Sequence, residues 1–232
     1  MLKIFIGYDH RQPVSYNVLQ QSILIRSSKP VSITPLVLHQ LPMQRQGLTP
    51  FTFTRFLVPY LCDYKGWALF LDIDMLLLAD ISKLFDLADD KYTVMVSKNK
   101  IRFEWASMML FNCSKCKILT PRYIEIAKNL HGIEWAKDEE IGDIPNEWNH
   151  LVGYDKVRDG VKDAKPAKLV HYTQGIPCFK ETQDSEYAKQ WLQEEDMMCA
   201  ALPWFDLMGH SVHATRDSNG NAVPRYVMEP PL

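Results

Sequence analysis

Two carboxylates one residue apart, Asp72 and Asp74, close the unbroken apolar run Trp67-Ala-Leu-Phe-Leu. A run without apolar/polar alternation reads as a strand buried on both faces, so the acids sit at the strand's end. Side chains at i and i+2 of a strand point the same way, which lets Asp72 and Asp74 converge. Like charges that close repel, and a divalent cation between them offsets the repulsion. The pair therefore reads as a metal site, the competing interpretation being two solvated acids at a turn. His171 ends a second short run, Lys168-Leu-Val-His-Tyr172, and is a further candidate ligand or a hydrogen-bonded core histidine. The turn that follows it carries Gly175, where backbone amides can approach a phosphate.

A second group leaves the first apolar run at Gly7-Tyr8-Asp9-His10-Arg11. Tyr8 can stack on a base, Asp9 can accept from a base N–H, and Arg11 can pair with phosphate, although a polar connecting loop has the same composition. The loop is not GxGxxG and no GKS/T follows, which excludes the Rossmann dinucleotide and P-loop patterns.

Positioning these residues requires a sheet. Leu2 to Tyr8 reads as a buried strand, Pro13 to about Ile25 as a helix opened by proline, and Val31 to Leu38 as a second strand. Phe53, Phe56, Leu57 and Leu61 fall at helical spacing before the acidic strand. Strand, helix, strand, helix, strand is the order of an α/β domain with a mostly parallel sheet, whose ligands bind at the carboxyl ends of the strands. Further strands are expected at Thr93 to Val96, Ala106 to Phe111 and Lys168 to Tyr172, and a helix at Lys115 to Leu130 around Pro121. Tyr187, Trp191, Leu192, Met198, Cys199 and Leu202 share a face of a late helix. Residues 209–232 read as an irregular tail with a turn at Asp217 to Asn221, and 1–232 as a single domain.

The 232 residues are 47% apolar and 23% charged with a net charge of -2, which argues against nucleic-acid binding by a broad basic surface. No apolar stretch is long enough for a membrane span, and the first residues read as a strand instead of a signal peptide, so a cytoplasmic address is expected. Five cysteines without a secretory signal read as reduced thiols. Cys113-Ser-Lys-Cys116 lacks the second pair that structural zinc needs and reads as packing.

Gly-Tyr-Asp after the first strand, Thr54-Arg-Phe-Leu-Val-Pro59, Leu69-Phe-Leu-Asp-Ile-Asp74 and His171-Tyr-Thr-Gln-Gly175 resemble, in order and over residues 2 to about 180, the glycogenin-like retaining glycosyltransferases of family 8. The resemblance implies a GT-A fold, with a mostly parallel central sheet flanked by helices. It implies transfer of a sugar from a nucleotide-diphosphate donor, usually UDP-linked, to an acceptor it does not name, by a front-face mechanism that needs no carboxylate nucleophile. In that family the equivalents of Asp72, Asp74 and His171 hold Mn²⁺ (or Mg²⁺), which suits oxygen and imidazole donors. It also implies a nucleotide site at Tyr8, Asp9, Arg11 and Ile73, and donor-sugar or diphosphate contacts from Arg55, Trp105, Gly175 and Lys180. Asp138 and Glu139, in a segment resembling the family's Asp-Gln to Trp-Asn stretch, are the candidate catalytic residues. The chain departs from the family where Trp105 and Ser107 replace Asn and Gly. At Ile176-Pro-Cys-Phe179 it also lacks the family's diphosphate-binding Lys. These departures keep a non-catalytic nucleotide-sugar binder as an alternative. A haloacid-dehalogenase-type phosphatase also ends a strand in Asp-x-Asp, but there it is the first strand, and here it is the third.

Overall fold

The computed structural model describes residues 1–200 and 215–223. The chain divides into two compact units, Met1–Met198 and Cys199–Leu232. In chain order the first unit opens with β1 (Leu2–Gly7), α1 (Pro13–Arg26), β2 (Val31–Leu36), α2 (Val58–Leu61), β3 (Trp67–Leu71), β4 (Met75–Leu77) and α3 (Ser82–Phe85). It continues with β5 (Val94–Val96), β6 (Met108–Asn112), α4 (Pro121–Ile126), β7 (Ile141–Asp143), β8 (His150–Leu151), β9 (Leu169–His171) and α5, a helix over Ala188–Cys199.

Six strands form the main sheet in the order β2-β1-β3-β6-β5-β7. β1 pairs in parallel with both β2 and β3, β6 runs antiparallel to β3 and β5, and β7 is parallel to β5, so β6 alone is reversed. The mostly parallel α/β architecture expected from the element order is therefore present. Ala68 to Leu71 are fully buried, and each large apolar side chain so enclosed contributes about 1.5–3 kcal/mol. That burial holds β3 between β1 and β6 and so fixes where its carboxyl end emerges.

A smaller sheet, β4-β9-β8, has its own core of Leu76, Val170, Tyr172 and Trp191, with Val18 of α1. Helix α1 begins at Pro13, whose missing N–H costs nothing in a first turn. Its Ser22 hydroxyl donates to the Leu19 carbonyl at 2.7 Å and accepts the Leu77 N–H at 3.2 Å, tying the helix to β4.

Several elements are shorter than their patterns predict. The helix expected over Lys115 to Leu130 is confined to α4, because Thr120 caps it by accepting the Tyr123 N–H at 3.2 Å and Asn129 turns left-handed. Before α2, residues Thr54–Leu57 form a 3-10 turn, and Arg102–Ser107 do the same before β6, so Ala106 and Ser107 lie outside the strand predicted for them. On α5, Trp191 is buried and Leu192 exposed, which narrows the expected apolar face. The described cysteines are free thiols, and Cys116 Sγ donates to the Asn112 carbonyl at 3.3 Å within the core.

In the second unit, β10 (Thr215–Arg216) and β11 (Ala222–Val223) pair antiparallel around a turn whose Asp217 carboxylate accepts the Asn219 and Asn221 N–H groups. Leu202 and the rest of the tail expected to be irregular, 209–214 and 224–232, lie outside the described residues.

Candidate metal centre

β3 ends at Leu71, one residue before the first acid, and its ladder is continued by the Asp72 N–H donating to the Ser107 carbonyl at 2.9 Å. Asp72 to Asp74 form a turn into β4, so the two carboxylates converge through that turn and not through strand alternation. The turn is closed by the small sheet. Met75 pairs with His171, and the Tyr172 N–H donates to the Asp74 carbonyl at 2.9 Å. Antiparallel pairing thus delivers His171 from the far half of the chain. Asp72, Asp74 and His171 each offer a ligand atom, and these atoms lie within 4.8 Å of one another. Asp72 and His171 are buried and Asp74 is partly exposed.

The donor set fits a hard or borderline divalent cation, with two carboxylates and one imidazole. His171 Nε2 is 3.3 Å from Asp74 Oδ1, and Nδ1 is 3.9 Å from a Glu104 oxygen. Nδ1 and Asp74 Oδ1 are buried with no well-directed hydrogen bond among the described residues, as expected of atoms that serve a ligand.

Arg55 is the cation paired with Asp72. It is buried, its Nη2 lies 2.9 Å from Asp72 Oδ1, its Nη1 donates to Oδ2 at 3.3 Å, and Nη1 also donates to the Ala106 carbonyl at 2.8 Å. This is a paired guanidinium that fixes the Asp72 carboxylate, not an exposed helix residue. Burial nevertheless dominates at Asp72. It pushes the carboxyl up to about 7, against the Arg55 charge and with help from Asp74. Burial acts to lower His171, but the nearby charge of Asp74, with those of Asp72 and Glu104 behind, outweighs it and raises the imidazole.

Among the expected nucleotide residues, Tyr8 and Arg11 line a cavity of about 940 Å³ beside the carboxyl ends of β1 and β2. Tyr8 meets Tyr16 edge-on at 5.6 Å. Asp9 is fully buried and both its oxygens are taken by Arg11, at 2.9 Å from Nε and 2.6 Å from Nη2, which holds its carboxyl below the usual range. Ile73 is fully buried in the main core. Trp105 donates its Nε1 hydrogen to the Asn99 carbonyl at 2.9 Å and lies beneath the Arg102 guanidinium at 4.8 Å. The Gly175 N–H is spent on the Tyr172 carbonyl, and Lys180 is exposed. Asp138 and Glu139 are exposed in the 3-10 turn before β7, where Asp138 pairs with Arg102 at 2.9 Å.

Residue-level reading of the sequence missed Glu104, Ser107 and Asn149. Fully buried Asn149 donates to Ser107 Oγ at 2.9 Å, and Ser107 Oγ donates to the Glu104 carbonyl at 2.6 Å, which braces the turn that faces His171. Their signal was present only as segments resembling family motifs, because isolated polar residues do not announce a buried hydrogen-bond chain.

No protein-family model matches the chain. It is 41% identical over 223 residues to Protein CDI of Arabidopsis thaliana, covering 83% of this chain and 85% of that relative. Among solved structures it resembles the WbbM bifunctional glycosyltransferase, with a TM-score of 0.65 and 16% identity over 90% of this chain. It spans about half of that one, 51%. The galactosyltransferase LgtC, solved with donor and acceptor sugar analogues, gives a TM-score of 0.62 and 10% identity, with coverage of 88% here and 99% there. GlyE of Streptococcus pneumoniae TIGR4 gives 0.59 and 15%, with coverage of 90% and 63%. At these identities the structures speak to the fold, which is that of the GT-A glycosyltransferases.

Proposed function

We infer, from the premise that this chain belongs to the family of the Arabidopsis thaliana Protein CDI and has the GT-A fold, that it is a metal-dependent glycosyltransferase of the hexosyltransferase type. It moves a sugar from a nucleotide-diphosphate donor, UDP-linked, to an acceptor with retention of configuration. The observation that carries the reading is the convergence of Asp72, Asp74 and His171 where the main sheet's third strand meets the small sheet. Those three side chains would hold Mn²⁺ or Mg²⁺, which would supply positive charge to offset the negative charge developing on the departing diphosphate.

The chain's own residues do the positioning. Arg55 orients the Asp72 carboxylate, and Glu104 faces the second nitrogen of His171. Tyr8 offers a ring to the base at the wall of the large cavity. Asp9 aims Arg11, whose Nε and Nη2 it holds, and leaves Nη1 for phosphate oxygens. Asp138 and Glu139 remain the candidates for the sugar hydroxyls, Asp138 by exchanging its Arg102 partner.

The test is UDP-sugar hydrolysis or transfer with and without Mn²⁺ in the wild type and in Asp74→Ala. Metal-dependent turnover that disappears in the variant supports the reading. It fails if no nucleotide sugar raises the melting temperature in the presence of Mn²⁺. Binding without turnover is a second reading, favoured by the exposure of Asp138 and Glu139 and by the engagement of Asp138 with Arg102. Tight UDP binding with no hydrolysis selects it.

A further inference from the structure

Residues Leu130–Gly132 form one 3-10 turn bracketed by Asn129 and Ile133, both left-handed with φ of 52° and 55°. Asn tolerates that conformation, whereas a β-branched residue there is an outlier that the surrounding structure has to impose. Ile133 is fully buried, which supplies the constraint. The turn sets His131 against Phe103. Their rings stack at 4.8 Å with planes 13° apart, while Phe53 and Phe56 meet the imidazole edge-on at 5.8 and 5.3 Å. Phe103 thus has one face supported and is still 61% exposed. Burial, with the charges of Arg55 and Arg45, pushes the imidazole down to about 4, so this support is uncharged at neutral pH.

The ring stands in a cavity of about 510 Å³ lined also by Arg45, Arg102, Asn129 and Glu134. Arg102 Nε is anchored on the Gly132 carbonyl at 3.0 Å, and Asn129 Nδ2 on Glu134 Oε2 at 3.2 Å. The amide oxygen of Asn129 and the second oxygen of Glu134 keep their accepting capacity. An aromatic face framed by a guanidinium, an amide and a carboxylate matches a pyranose, which offers an apolar C–H face and a rim of hydroxyls. A lipid chain would leave the polar groups unpaired, and a nucleobase, which also carries donors and acceptors at its edge, is distinguished from a sugar by the UDP titration. Phe103 directly precedes Glu104, whose carboxylate faces His171 at 3.9 Å, so the platform and the metal centre are served by consecutive residues of one turn.

We propose that this cavity is the acceptor subsite and that it takes a neutral sugar ring stacked on Phe103, with Asn129, Glu134 and Arg102 reading its hydroxyls. The proposal rests on the transferase reading and adds to it that the acceptor is a carbohydrate. The test uses saturation-transfer NMR with the methyl glycosides of galactose, glucose, xylose and mannose, on the wild type, Phe103→Leu and Phe103→Trp. UDP with Mn²⁺ is titrated into the same samples. At least one glycoside should bind the wild type and Phe103→Trp, and bind about three- to tenfold more weakly to Phe103→Leu. UDP binding should be equal in all three. The proposal is overturned if no glycoside binds, if Phe103→Leu binds them as the wild type does, or if that substitution weakens UDP, which would make Phe103 a base platform. Failure of UDP to bind the wild type counts against the transferase reading, and glycoside binding is read independently of it.

Discussion

At Asp72 burial, the Arg55 guanidinium and the Asp74 carboxylate act on one proton, and burial prevails, so the carboxyl titrates at about 7. A cation binds the ionised carboxylate and the neutral imidazole, and it therefore competes with protons at both Asp72 and His171, each of which has its pKa raised. Mn²⁺ affinity, measured by isothermal titration, should accordingly fall steadily from pH 8 to pH 6, and an affinity unchanged over that range would contradict the electrostatics described. The metal-free protein should respond in the opposite sense. A folded-state pKa above the unfolded value gives stability that is present below the ordinary carboxylate range and lost as pH rises through about 7, and Asp72→Asn should flatten that slope in urea titrations. Asp72 and Asp74 were legible because acids closing an apolar run are rare without a purpose, whereas His171 was one of two readings until the family resemblance favoured it as a ligand. Arg55 was legible only by resemblance, since nothing in Thr-Arg-Phe-Leu says that the guanidinium turns inward to Asp72 instead of outward to water.

At the level of elements, the strand that carries His171 was expected, but β4 and its pairing with it were too short to see in advance. β4 and β9 are three-residue strands, and no period can be counted in three residues, yet their antiparallel register sets His171 opposite Met75. The last two residues of the 3-10 turn Arg102–Ser107, Ala106 and Ser107, were read as the start of a strand because they run into the apolar segment of β6. The turn's Glu104 faces His171 and its Phe103 stacks on His131. The His131 turn makes its own prediction. Its imidazole is neutral when folded down to about pH 4 but gains a proton near its ordinary value when unfolded. Stability should therefore be lost as pH falls below about 6.5 toward 4. Thermal melts of His131→Phe, which keeps the ring stack, should lack this acid-side slope. If the variant and the wild type show the same slope, the histidine is not its source.

Over the whole of Met1–Met198, the small sheet and α5 are fastened to the main sheet through α1. Arg26 near the end of α1 reaches Glu194 of α5 at 2.7 Å, and Glu194 is almost fully buried while Arg26 keeps 28% exposure. Arg26→Ala would strand that carboxylate at a cost of about 3 kcal/mol, toward the low end for a broken buried pair because one partner is partly solvated. The double variant Arg26→Ala with Glu194→Leu should recover most of the loss in denaturant titrations, and no recovery would mean that Arg26 acts by packing instead. By itself the sequence determined the architecture: buried apolar runs of strand length, separated by a proline-opened helix and ending in polar residues, admit few folds other than a mostly parallel α/β sheet with its chemistry at the carboxyl edge. Only the tertiary structure decided which polar groups meet there. Periodicity records burial along a segment, whereas the Arg55 to Asp72 pair, the facing of Glu104 on His171, and the support of Phe103 by His131 depend on register and turn geometry between segments distant in the chain.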